Sequence, residues 1–326
     1  MRKGGRGSFP SEKGRERSKA GWRHQLSTND GNLGVAPDIF KTALDKYGVW
    51  PVTVWNCDFS DPILKGLKQA VGDGCSARLN SGNLGYQTKQ SERKGCFDNR
   101  KEIGQSTCGG RISESIFNPV VAMWIFNLFG PKSGIVYDPF AGGGTRAIVA
   151  VKKGLKYTGI ECRIEEVEAI NIRLKNNNVI AKIIHGDSQT IKINSESADF
   201  LITCPPYYNM ETYEGGIADL SCAETYDDFL KGMKKVIAKT FQILKPGSIA
   251  CWVIGLHRDK RGELLHIPND ISRIHKECGF FHKEEVILNW NKNTTGALRR
   301  VGNFEKGNHL LIRNHEYLEV FKKPIA

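Results

Sequence analysis

Beyond residue 113 the chain alternates short apolar runs with longer amphipathic ones. Runs at 134–138, 156–161, 182–186, 199–203, 249–254, 286–290 and 317–321 have the length and β-branched or aromatic content of strands. Between them, 145–153, 164–175, 226–244 and 269–278 repeat apolar residues at helical spacing. The clearest is 226–244, where Tyr226, Phe229, Leu230, Met233, Ile237, Phe241 and Leu244 share a face and Lys-Pro-Gly follows. Residues 119–129, PVVAMWIFNLF, are apolar nearly all round and run into Gly130-Pro131, which predicts a buried helix with a terminator. Alternating strand and helix predicts an α/β, doubly wound, mostly parallel seven-stranded sheet covered on both faces, with ligands at the carboxyl ends of its strands.

Before residue 113 the pattern loosens. Residues 1–32 are rich in Gly, Ser, Lys and Arg and predict a basic flexible arm; 33–112 form an extension, and 113–326 the catalytic domain. Within the extension, 37–47 and 62–71 have helical spacing and VWPVTVW reads as a strand. Residues 72–110 make a long loop in which Arg78, Lys89, Arg93, Lys94, Arg100 and Lys101 are interleaved with Tyr86 and Phe97.

Composition sharpens this picture at three points. Forty-seven Lys and Arg against thirty-five Asp and Glu give a formal charge of +12, which favours a polyanionic partner, nucleic acid first. Nine cysteines without a Cys-x-x-Cys pair argue against a zinc ribbon or a secreted disulfide framework, so no metal is expected and a cytoplasmic setting is. The sequence holds neither a signal-peptide pattern nor an apolar run of about 18 residues, so no membrane association is expected.

The strand ends carry the candidate chemistry. The run at 134–138 ends in Asp138-Pro139-Phe140-Ala141-Gly142-Gly143-Gly144-Thr145, a turn where ligand atoms can pack on backbone ahead of a helix N-terminus. It lacks the Gly-x-Gly-x-x-Gly of a dinucleotide site. The next strand ends in Glu161, where a carboxylate can accept ribose hydroxyls, and the third is followed by Asp187, suited to an exocyclic adenine amine. Together they predict an adenosine-bearing ligand that need not hold a pyrophosphate. The run at 199–203 passes directly into Cys204-Pro205-Pro206-Tyr207, where two prolines fix the backbone and leave carbonyls without competing N–H groups.

DPFAGGGT, then GIE, HGD and TCPPYY, resemble the ordered motifs of S-adenosylmethionine-dependent DNA amino-methyltransferases, and KYGVWPVTVW, SIFNPVVAMWIF, CPPYYNMETY, WVIGLHRDKRG and HEYLEVFKK resemble orphan DNA methylases of phages and mobile elements. The likeness spans residues 46–323 and is stronger after 113. It implies a Rossmann-like class I methyltransferase fold, S-adenosylmethionine as cofactor, and double-stranded DNA as partner. It further implies that Phe117 and Pro119 pack against the methionine end of the cofactor, which Asp138, Phe140, Ala141, Gly142, Gly143, Gly144, Thr145, Glu161 and Asp187 also hold. Cys204 and the Pro205 carbonyl would accept the hydrogens of an adenine N6 or cytosine N4 amine, with Pro206 and Tyr207 completing the catalytic segment and Tyr207 stacking on a flipped base.

The family carries Asp, Asn or Ser where this chain has Cys204, and a thiol is a weak acceptor. Thr203 is one candidate for the missing acceptor. Cytosine C5 methylation, which uses a cysteine nucleophile, expects Cys after Pro and so a different position for the sulfur. Nucleic-acid contacts are expected from Arg93, Lys94, Arg258, Arg299 and Arg300. An RNA or protein methyltransferase of the same fold, or a catalytically weak nucleic-acid-binding relative, are the alternatives.

Overall fold

The computed structural model describes residues 45–47, 52–57, 117–209, 218–259, 261–290 and 314–325. Of the expected helix at 37–47, the described part is helical. The arm at 1–32, the helix at 62–71 and the loop at 72–110 lie outside the described residues.

From residue 52 onward the strands are β1 (Val54–Asn56), β2 (Ile135–Asp138), β3 (Lys156–Glu161), β4 (Lys182–His185), β5 (Ala198–Thr203), β6 (Leu244–Ile254), β7 (His257–Arg258), β8 (Leu264–Leu265), β9 (Phe281–Asn289) and β10 (His315–Lys322). The helices among them are α1 (Pro119–Phe129), α2 (Thr145–Lys152), α3 (Ile164–Asn176), α4 (Tyr226–Ile243) and α5 (Ile267–Glu277).

One large sheet runs in the order β1-β9-β10-β6-β5-β2-β3-β4. Strands β4, β3, β2, β5 and β6 run parallel to one another, β10 is antiparallel to both β6 and β9, and β1 lies parallel to β9. The seven strands expected after residue 113 are all present, and an eighth joins them. Val54–Asn56, which takes in the last two residues of the VWPVTVW run in the extension, pairs with 287–289 and continues the sheet past the expected boundary at 113. Trp55 makes that extension favourable: it is buried, with its ring edge-on to Trp124 of α1 at 5.8 Å.

Local chemistry explains the helices. The Asn118 side chain accepts from the Val120 and Val121 N–H groups at 2.9 and 3.4 Å, Pro119 occupies the first turn, and a Cβ on Gly130 would lie 2.6 Å from the Phe126 carbonyl. Thr225 caps α4 by accepting from Asp228 N at 3.1 Å, and the face carrying Phe229, Met233, Val236 and Ile237 is buried against the sheet with Trp252 and Ile271. On the other face, Phe126 of α1 meets Phe200 of β5 at 5.7 Å. Helices therefore cover both faces.

Direction matters more than area for the site. Because β9 and β1 run parallel to β6, the carboxyl ends of β1, β9, β6, β5, β2, β3 and β4 all open at one edge of the sheet. Phe117 is at that edge too, beside the first turn of α2, where the Arg146 guanidinium lies 4.8 Å above its ring. Trp290 N donates to Asn314 O at 2.6 Å, so the chain leaves β9 and re-enters β10 there. Among the described residues no helix is long and apolar enough to cross a membrane.

Candidate active site at the carboxyl edge

Asp138, the last residue of β2, is fully buried and fully employed. Its Oδ1 accepts from Phe140 N at 3.0 Å and from the Thr203 hydroxyl at 2.6 Å, while Oδ2 accepts from Arg146 Nε and the Tyr157 hydroxyl, each at 2.6 Å. Arg146 extends the network by donating to the carbonyls of Phe140 at 2.5 Å and Ala141 at 3.3 Å. Burial opposes its charge, but the Asp138 carboxylate outweighs this and holds the guanidinium above its usual pKa. Removing one partner of such a pair typically costs about 3–5 kcal/mol, because the other charge is left buried. Both oxygens of Asp138, expected to help hold the cofactor, face inward and shape the turn. Thr203, a candidate acceptor, is likewise buried, and its hydroxyl donates to Asp138.

The turn itself is left open for a ligand. Gly142 and Gly144 have φ of 50° and 76°, a region that favours glycine. A Cβ on Gly144 would strike Ile170 of α3 at 2.8 Å, whereas Cβ atoms on Gly142 and Gly143 would meet nothing nearer than 3.8 Å. Gly144 seats the turn on α3, and the two glycines before it offer bare backbone.

Glu161 ends β3 next to this turn. Its Oε2 accepts from Gly142 N and its Oε1 from Arg163 N, both at 3.1 Å. Burial raises its pKa, opposed by the Arg163 N–H. Oε2 keeps a lone pair for a hydroxyl donor. Asp187 follows β4; its Oδ1 accepts from Gln189 N at 2.8 Å, while Oδ2 has a 3.5 Å contact with Gln189 Nε2. The neighbouring Ser188 hydroxyl donates to the Pro139 carbonyl and so ties this corner to the glycine turn. Bare backbone, a ribose-type acceptor and a half-used carboxylate fit S-adenosylmethionine.

The Cys204-Pro205-Pro206-Tyr207 segment leaves β5 beside the glycine turn, since β2 and β5 are adjacent and pair at Val136 with Phe200 and Tyr137 with Leu201. Cys204 is partly buried and within electrostatic reach of Arg146 and Tyr207. Tyr207 and Tyr208 part company. Tyr207 points its hydroxyl at Glu316 of β10, 3.2 Å away, while Tyr208 packs against Tyr226 and Phe229 and donates to the Glu224 carbonyl at 3.3 Å. Phe140 meets Trp252 edge-on at 6.3 Å.

Arg258 is engaged within its own β7–β8 turn, where it donates to the Gly262 carbonyl at 2.8 Å. Arg93, Lys94, Arg299 and Arg300 lie outside the described residues. Sequence reasoning missed Arg146, Tyr157, Gly255 and Glu316. The one available signal was an arginine inside the otherwise apolar run TRAIVAV. Among the described residues no three His, Cys, Asp or Glu side chains cluster as metal ligands.

Strand order, the antiparallel β10 between β6 and β9, and the glycine turn after the first parallel strand define a Rossmann-like fold of the kind found in S-adenosylmethionine-dependent methyltransferases. The chain is similar to the type II methyltransferase M.MjaVI of Methanocaldococcus jannaschii, 25% identical over 122 residues that make up 37% of this chain and 59% of that protein. It thus spans less than two thirds of that relative's length. Solved structures with a similar architecture include a methyltransferase from Pyrococcus furiosus (18% identity, TM-score 0.43, 72% of this chain and 100% of that one). They also include a Thermus thermophilus protein described as a DNA modification methylase (24% identity, TM-score 0.32, 43% and 52% covered). No family model matches the chain.

Proposed function

We propose that this protein is a methyltransferase that uses S-adenosylmethionine to methylate the exocyclic amine of adenine or cytosine in double-stranded DNA. The observation that carries the reading is the 2.6 Å hydrogen bond from Thr203 to Asp138, which locks the end of the Cys-Pro-Pro-Tyr strand to the root of the glycine turn. A donor held by the turn and an acceptor held by Cys204 to Tyr207 then share one cleft.

When bound, S-adenosylmethionine supplies an electrophilic methyl group. The chain's own residues prepare the amine. The Pro205 carbonyl, which is followed by a residue without an N–H, and the Cys204 sulfur accept the two amino hydrogens, drawing the nitrogen lone pair out of ring conjugation. Tyr207 stacks on the base once it has left the duplex, and the apolar walls from Phe140 and Pro206 exclude water. Glu161 and Asp187 hold the ribose and adenine of the cofactor, and Phe117 and Pro119 line its methionine end.

Nucleic acid is favoured by charge. Residues 291–313 contain five basic side chains and one acidic, and the chain departs at Trp290 and returns at Asn314 beside Tyr207. The partial similarity to the type II methyltransferase M.MjaVI is in keeping with a DNA substrate. The test is to incubate the protein with methyl-labelled cofactor and plasmid DNA or RNA, digest, and identify the labelled nucleoside. Label in N6-methyladenine or N4-methylcytosine from DNA is expected; cofactor binding by calorimetry without label in either would overturn the reading.

A further inference from the structure

Tyr207 is held by more than its own backbone. Its hydroxyl donates to Glu316 Oε1 at 3.2 Å and accepts from the Gly255 N–H. The other carboxylate oxygen of Glu316 accepts from Trp290 Nε1 at 2.8 Å, so the carboxylate is itself fixed from the β9 side. Gly255, just past β6, leaves the space that the phenol occupies: a Cβ there would lie 3.0 Å from the Tyr207 oxygen and 3.3 Å from Cε1. Backbone pairing sets the carboxylate in place, because Glu316 is opposite Leu288 and the next residue on β10, Tyr317, is opposite both Ile254 and Ile287.

We propose that Glu316 is a positioning residue that, through the phenol hydroxyl, fixes the ring of Tyr207 in the plane a flipped base must meet. This rests on the function proposed above and deepens it. A stacking ring anchored only at Cβ can still turn about its own axis and tilt. Anchoring the far end removes that freedom before substrate arrives, so less ordering is left to be done on binding. Burial, together with the Glu316 carboxylate, holds the phenol well above its ordinary pKa, so it remains a donor at working pH.

The test combines 19F NMR of protein carrying 3-fluorotyrosine with methyl-transfer kinetics on plasmid DNA. The proteins are wild type, Glu316→Leu, Tyr207→Phe, Trp290→Phe and the Glu316→Leu/Tyr207→Phe double variant. The signal lost in Tyr207→Phe identifies the ring among the nine tyrosines. In Glu316→Leu and Trp290→Phe that signal is expected to broaden or shift as the ring is released. For Glu316→Leu, kcat should fall about tenfold or more while cofactor affinity stays within about twofold. The double variant should be no slower than the slower single one, because both remove the same link. An unchanged Tyr207 signal with unchanged kcat, or losses that multiply in the double variant, would overturn the proposal. Release of the ring in a protein whose wild type moves no methyl to DNA would leave the hold of Glu316 on Tyr207 standing and bring down the substrate reading instead.

Discussion

A sulfur in the first position of the Pro-Pro-Tyr strand end changes what that end can offer an amine. Thr203 next to it is fully buried, with its hydroxyl turned inward onto Asp138. On the proposed function the acceptor pair is Cys204 and the Pro205 carbonyl. Replacing Cys204 with Ala leaves one acceptor, and kcat should drop by about tenfold or more, equivalent to at least about 1.4 kcal/mol of barrier, with cofactor affinity unchanged. Cys204→Ser restores an oxygen of similar size and should match or exceed the wild-type rate. Radiolabel transfer to DNA, alongside calorimetric cofactor titration, separates the two effects. Equal rates for the Ala and Ser variants and wild type would remove Cys204 from the mechanism.

At the scale of elements, β10 carries a buried carboxyl. Glu319 is 1% exposed, with His282 Nε2 at 2.7 Å and Glu285 opposite it on β9. Burial first, and then the Glu285 carboxylate, push its pKa up to about 8 against weaker opposing pulls from Ser272 and Lys276 on α5. Burial lowers the pKa of His282, so that ring does not supply a compensating charge at neutral pH. The folded carboxyl thus keeps its proton where the unfolded chain has released it. Stability from this group is greatest below the unfolded value, declines as pH rises towards about 8, and is level above that. Glu319→Gln keeps the neutral shape, so its melting temperature should exceed that of wild type at about pH 9 and approach it at about pH 5. Parallel stability curves in the two proteins would contradict the assignment. The same strands show what the sequence hides. The first half of β9, FHKEE, is largely solvent-facing and polar, so an apolar-run criterion finds the strand only from Val286. By contrast, β2 and β5 are largely buried and read as short, mostly apolar runs, and β3 closes on Gly-Ile-Glu, which is why their ends, and with them the glycine turn, Glu161 and Cys204, could be placed from residues alone. Arg146 and Glu316 were not legible because their roles depend on which strands become neighbours. Asp138 meets Tyr157 and Thr203 across β2, β3 and β5, and Tyr207 meets Glu316 across β6 and β10.

For the molecule as a whole, the shared direction of β1, β9, β6, β5, β2 and β3 brings their carboxyl ends to one edge of the sheet, and charge is unevenly shared among the segments of the chain. Residues 1–32 hold eight basic and three acidic side chains, and 291–313 hold five and one, so these two stretches supply most of the +12. If they contact phosphates, binding must release counterions, and the logarithm of the association constant should fall linearly with the logarithm of salt concentration by about 0.9 per phosphate neutralised. Removing residues 1–32 should therefore flatten that slope and weaken binding across DNA sequences alike, because phosphate contacts carry no base information. Arg299→Ala with Arg300→Ala should flatten it by up to about 2 units. Fluorescence anisotropy with a labelled duplex at several salt concentrations measures both slopes. Methyl transfer at low salt and saturating DNA should survive loss of the arm, since the cleft between the glycine turn and Cys204 is built by β2 and β5. An unchanged slope after truncation would mean that the arm's charge never meets the phosphates, and the affinity would then have to come from the carboxyl edge alone.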